Sequence, residues 1–115
     1  MARVKGGVMA QKRRKNILAR AKGYRHGRSK KERYAHEALL HAGKYAFAHR
    51  RDKKNDFRSL WIVRLNAAVR DNGHTSYSQF IGKLKKNGML LDRKVLATFA
   101  ADHPEVFARI AKKVG

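Results

Sequence analysis

Six histidines, at positions 26, 36, 41, 49, 74 and 103, are the side chains best suited to hold a metal or move a proton near neutral pH. No two of them have the i, i+4 spacing of a zinc-binding helix, and His36 and His41, five apart, point to different faces. Their plain reading is as polar or phosphate-contacting residues. The eight acidic residues offer little more. Asp52 and Asp56 are four apart, but they lie on a basic segment whose charge they moderate, without the apolar setting of an acid–base pair. Cysteine is absent, which removes disulfides, thiolate metal sites and cysteine nucleophiles. Gly6-Gly7, Gly23 and Gly27 lack the Gly-Lys-Ser/Thr ending of a phosphate loop. The residues therefore predict no enzyme, no cofactor and no metal site.

Cations are another matter. The 115 residues carry 29 Lys+Arg against 8 Asp+Glu, a formal charge of +21. That is far more than solubility asks of a small domain. Each phosphate that such a chain neutralises releases counterions, which drives it toward polyanions. Fourteen of the cations are arginines, whose guanidinium pairs bidentately with phosphate and stacks on exposed bases. Tyr24, Tyr34 and Tyr45 interleave with these charges and could stack on bases or pack on sugars. A solvated surface would not need runs this dense. The reading is nucleic-acid binding.

The charge is lopsided. Residues 1–58 hold 19 basic and 4 acidic residues, a net of +15, and residues 59–115 hold 10 and 4, a net of +6. Large apolar residues run the other way, 13 in the first part and 20 in the second, which makes 59–115 the folding unit. The first part reads as an arm ordered mainly by a polyanionic partner. Without disulfide or metal, a unit of this size has a marginal core. Leu60-Trp61-Ile62-Val63 is the longest run of large apolar residues, too short to span a bilayer, and no stretch of signal-peptide length opens the chain. Residues 1–31 are acid-free and arginine-rich, as transit peptides are, but Ser29 is their only serine and apolar residues are sparse, so a transit segment is not expected.

The elements that must carry these residues read as helices throughout. Residues 1–7 form an irregular basic tail, and Met9–Ala21 a short helix anchored by Met9, Ile17 and Leu18. Residues 22–28, with two glycines, break it. Ser29 and Glu32 match a capping box that would open a helix running from about 30 to 71, roughly 60 Å long. That exceeds the width of a small domain, so part of it must project. Asn72-Gly73 stops it. Ala35, Ala38, Leu39, Ala42, Tyr45 and Ala46 recur on one face, and from Phe57 a heavier stripe of Phe57, Leu60, Trp61, Leu65, Ala68 and Val69 should begin the core. Three short helices follow. Ser76 caps one bearing Phe80, Ile81 and Leu84, which ends at Asn87-Gly88. Asp92 caps another with Val95, Leu96 and Phe99, and Pro104 opens a third with Val106, Phe107, Ile110 and Val114 inward. The fold class is all-α, a long basic helical N-terminal arm followed by a small compact helical C-terminal domain, divided as 1–58 and 59–115.

A long, interrupted arm suits an irregular folded RNA, where it can thread between helices, better than regular duplex DNA. A DNA-compacting protein of the nucleoid is the competing class, and an enzyme acting on nucleic acid a weaker third that lacks a metal or acid–base cluster.

Particular stretches carry a resemblance. MARVKGG at 1–7, AKGYRHGRSK at 21–30, AGKYAFAHRRDKK at 42–54, FRSLWIVRLNAAVRDNG at 57–73, SYSQFIGKLKK at 76–86 and DRKVLATFA at 92–100 occur in order. With these motifs the chain resembles the bacterial-type large ribosomal subunit protein twenty family from residue 1 to about residue 110. The resemblance implies a non-catalytic constituent of the large ribosomal subunit that binds its 23S-type RNA directly, supports early subunit assembly and neighbours other ribosomal proteins. No membrane and no homo-oligomer are expected. Many bacterial members also repress their own operon by binding its messenger RNA through the C-terminal domain. A cytoplasmic ribosome and a plastid ribosome both fit this family.

Residue by residue, Arg3, Lys5, Arg13, Arg14, Lys15, Lys22, Arg25, Arg28 and Arg33 match basic family positions in the arm, and Arg50, Arg51, Lys53, Lys54 and Arg58 match its central basic segment. Lys12, Arg20, Tyr24, Ser29 and Lys30 lie among them as further candidate RNA contacts. In the C-terminal domain, Arg64, Asn66, Arg70, Tyr77, Ser78, Lys85, Lys86, Arg93 and Lys94 fall on motif positions expected to face RNA. Trp61 reads equally as core or contact. The chain departs from the family at Gly6, where a basic residue is usual, and at Asn55-Asp56. It also departs in a longer 73–77 connection and in the Ile81-Gly82-Lys83-Leu84 order. The last two bear on messenger-RNA repression more than on ribosomal membership.

Overall fold

The computed structural model describes residues 1–3 and 5–115; of the expected irregular tail, Val4 lies outside them. Among the described residues the chain forms five α-helices, a short 3-10 turn and no strand. The helices are α1 (Gly7–Arg20), α2 (Glu32–Asp71), α3 (Tyr77–Lys86), α4 (Arg93–Asp102) and α5 (Pro104–Val114), with the 3-10 turn at His26–Ser29. The fold is all-α. Two compact units divide it, Met1–Arg51 and Asp52–Gly115, and the 40-residue α2 supplies residues to both.

In the first unit the buried apolar residues are small, Ala21 and Ala35, both fully buried. Ile17 and Leu18 are half-buried on α1, whereas Met9, expected as an anchor, is exposed. The turn between α1 and α2 is closed by the chain's own backbone. The Gly27 carbonyl accepts from the Lys30 and Lys31 amides at 3.2 and 2.8 Å, and Arg14 donates to the Lys30 carbonyl at 3.1 Å. The Ser29 hydroxyl donates to the His26 carbonyl at 3.3 Å. The expected Ser29 capping box is therefore replaced by the 3-10 turn, and α2 opens at Glu32, whose carboxylate suits a helix N-terminus. His26 sits in the left-handed region at φ 57°, a conformation in which histidine is enriched among non-glycine residues. A β-carbon on Gly27 would lie 3.1 Å from the Tyr34 ring, so glycine lets this ring approach.

The second unit has a larger core. Leu65 and Val69 of α2 pack with Phe80 and Leu84 of α3, Leu96 and Ala97 of α4, and Phe107, Ala111 and Val114 of α5. Phe80 and Phe107 meet with ring centroids 5.9 Å apart. The expected stripe on α2 enters this core later than its spacing suggests: Leu65 and Val69 are buried and Trp61 half-buried, but Phe57 is 49% exposed. On α4 it is Ala97 that goes inside, and Val95 stays out. Bulk alone does not choose the inner face of a short helix.

Both Asn-Gly stops form the same motif. Gly73 donates to the Arg70 carbonyl and His74 to that of Val69, while Gly88 donates to Lys85 and Met89 to Leu84. The two glycines adopt φ 82° and 70°, the left-handed residue that this helix ending requires. At the other end of α3, extended Ser76 accepts from the Gln79 amide at 3.5 Å, a long capping bond, whereas Asp92 precedes α4 with no side-chain cap.

Candidate nucleic-acid interface

Charge bookkeeping defines the surface first. Were every carboxylate paired, 29 − 8 = 21 cations would still lack an acidic partner within the chain. Among the candidate contacts, Arg3, Lys5, Lys12, Arg13, Arg14, Lys15, Arg20, Lys22, Arg25, Arg28, Lys30 and Arg33 are exposed in the first unit, with Tyr24 and Ser29 half-buried. Arg50, Arg51, Lys53, Lys54, Arg58, Arg64 and Arg70 are exposed along α2, as are Ser78, Lys85 and Lys86 on α3 and Lys94 on α4.

Three clefts gather some of these in the first unit. Arg13 and Arg14 of α1 share one with Lys31 and Arg33. Lys15 and Lys22 share another with Ser29. The third, of about 680 Å³, is lined by Tyr24, Arg28, Tyr34 and Tyr45 with small residues of α2 as its floor. Ala38 and Ala42 are the small α2 residues of that lining, beside Glu37 and His41 of the same helix. Along the same helix His41, Tyr45 and His49 stack in sequence with centroids 6.4 and 6.0 Å apart. Lys31 lies over the Tyr34 ring at 5.7 Å and Arg50 over Phe47 at 5.4 Å, so planar rings and cations share this surface.

In the second unit Lys53, Lys54, Arg58 and Lys94 surround Phe57 and Trp61. Three other expected contacts are tied into the fold itself. Asn66 accepts from the Tyr77 amide at 3.3 Å, and the Tyr77 hydroxyl accepts from the Arg93 Nε at 2.6 Å. This chain of bonds fastens the start of α3 to α2 and aims the Arg93 guanidinium. Lys31 and Phe57 were not among the expected contacts, and although Tyr45 was expected to stack on bases and the histidines to contact phosphate, their alignment as one stack was not foreseen. The signal for Phe57 was its cationic neighbours at helical spacing, and for the stack the four-residue interval through Tyr45. Among the described residues no cluster of His, Asp and Glu is placed to hold a metal, and no helix is long and apolar enough to cross a membrane.

The family model described as ribosomal protein L20 matches residues 3–110. The chain belongs to the ribosomal protein L20 family. Similar curated relatives carry the name large ribosomal subunit protein bL20. That of Leptospira biflexa is 53% identical over 98% of this chain and 96% of its own length. Those of Acinetobacter baumannii and Chloroflexus aurantiacus are 52% and 50% identical, each over 98% of this chain and 94% of theirs. The L20 family is one of structural ribosomal proteins and is not enzymatic.

Proposed function

We propose that this protein binds large-subunit ribosomal RNA directly and acts as a non-catalytic scaffold in early assembly of the subunit. Residues 1–58 serve as an arm that penetrates folded RNA, and residues 59–115 as a globular RNA-binding domain. The observation that supports the reading is a first unit whose surface carries two clefts lined by arginines and lysines and a third where Tyr24, Tyr34 and Tyr45 gather beside Arg28. Phosphate neutralisation by those cations would supply affinity, and the rings would pack on bases or sugars that a folded RNA leaves exposed. Neighbouring large-subunit proteins complete the set of partners, and the ribosome is the place of action. Messenger RNA of the protein's own operon is a second ligand for the C-terminal unit, as the family resemblance implies; a gel shift with that leader RNA, competed by the ribosomal fragment, tests it.

The main test is the salt dependence of binding to a large-subunit RNA fragment. Replacing Arg13, Arg14 and Arg28 by alanine should lower affinity and flatten the slope of log K against log salt by about one unit per lost contact. An unchanged slope would remove the arm from the interface.

A further inference from the structure

We propose that the cleft on the second unit floored by Phe57 and Trp61 and ringed by Lys53, Lys54, Arg58 and Lys94 captures an unpaired nucleotide of RNA, its base stacked on the rings and its phosphates held by the cations. The inference deepens the ribosomal-RNA reading and rests on it.

Three features of the cleft point to this occupant. The first is the position of its rings. Phe57 precedes the residues of α2 that reach the core, and it is 49% exposed. Its ring lies 6.3 Å from that of Trp61 with 35° between their planes, so the two rings present a broad apolar floor. The half-buried Trp61 packs on the core from one side and lines the cleft from the other, which fixes that floor in place. A base stacked on such rings gains free energy whatever its identity, because every base has a π face.

The second feature is charge. Lys53, Lys54 and Arg58 lie four and three residues before Phe57 and one after it on α2, and Lys94 comes from α4. Two separate elements thus aim cations at one cleft, and none of the residues that line it is acidic. The third feature is size. A volume of about 590 Å³ lies within the usual range for small-ligand sites, about 300–1,000 Å³. An acidic peptide would satisfy the cations and leave the rings uncovered. A regular duplex would offer phosphates, but its base faces are already stacked. An unpaired nucleotide uses both the floor and the rim.

Trp61 is the only tryptophan in the chain, so its fluorescence reports on this cleft and on the core side against which the ring packs. The full-length protein is titrated with an adenosine octanucleotide, with inorganic polyphosphate of matched charge, and with a short RNA duplex. Binding is followed separately by the anisotropy of a labelled ligand. The octanucleotide should quench Trp61, while polyphosphate and duplex bind with little quenching. Phe57→Ala should weaken octanucleotide binding about tenfold, the scale of one lost stacking partner. Lys94→Ala, an exposed change that leaves the core alone, should weaken it by about threefold with the helical circular dichroism unchanged. Equal quenching by polyphosphate, or octanucleotide affinity unchanged in the Lys94 variant and in a folded Phe57 variant, would overturn the proposal. Tight binding of a ribosomal RNA fragment without any change at Trp61 would overturn the cleft alone. Loss of preference for that fragment over DNA would overturn the ribosomal reading.

Discussion

Tyr77 holds two bonds that join α3 to its surroundings, and one of them sets the direction of a cation. Its amide donates to Asn66, and its hydroxyl accepts from Arg93 at 2.6 Å in a half-buried setting. A hydrogen bond of this kind contributes about 1 kcal/mol, somewhat more when one partner is charged. Tyr77→Phe keeps the ring and removes the acceptor. We expect it to lower stability by about 1 kcal/mol in urea, read as a lower midpoint with an unchanged slope. A midpoint equal to that of the unaltered protein would mean that Arg93 needs no anchor. At this scale the sequence was informative about type and blind to partners. Asn66, Tyr77 and Arg93 stood out as motif residues, but nothing in their spacing shows that they bond to each other across 11 and 16 residues. Phe57 illustrates the same limit from the other side. Its period assigns it to an inward stripe, yet the face that reaches the core is decided by where α3, α4 and α5 pack, which lies in distant parts of the chain.

The helices themselves were legible because their signals are local. Asn72-Gly73 and Asn87-Gly88 each end a helix with a glycine at positive φ and a paired set of closing hydrogen bonds. The chemistry of that motif sits within six residues, so it can be read without knowing the fold. Pro104 opens α5 for the same reason. The Ser29–Glu32 box failed as a reading because a competing local structure won: with Gly27 accepting two amides, Ser29 falls inside a 3-10 turn and lacks the extended backbone of a cap. These stops carry stability. Gly73→Ala places a β-carbon on a left-handed residue, a cost of about 1–2 kcal/mol. In a unit of this size that lowers the melting temperature by about 4–8 °C per kcal/mol. Calorimetry on the full chain checks it, and an unchanged melting temperature would show that this ending is not strained by a side chain. The space around Gly73 is open, so backbone strain alone is being measured.

Taken whole, the molecule is governed by its charge. A net +21 on 115 residues opposes compaction and favours any phosphate-bearing partner, and no arrangement of eight carboxylates offsets it. That property was fully visible in composition, and its concentration in residues 1–58 in the order of the residues. What composition does not contain is the choice among polyanions. Counterion release rewards DNA and RNA alike, whereas clefts that combine cations with exposed rings favour a partner with unstacked bases. The measurement that tests this most directly is competition between a large-subunit ribosomal RNA fragment and duplex DNA of equal length, carried from low to high salt. We predict that RNA binding persists at a salt concentration where DNA binding has vanished, because part of its free energy comes from contacts that salt does not screen. Curves that fall together with the same slope would contradict the account and leave a protein that reads charge alone.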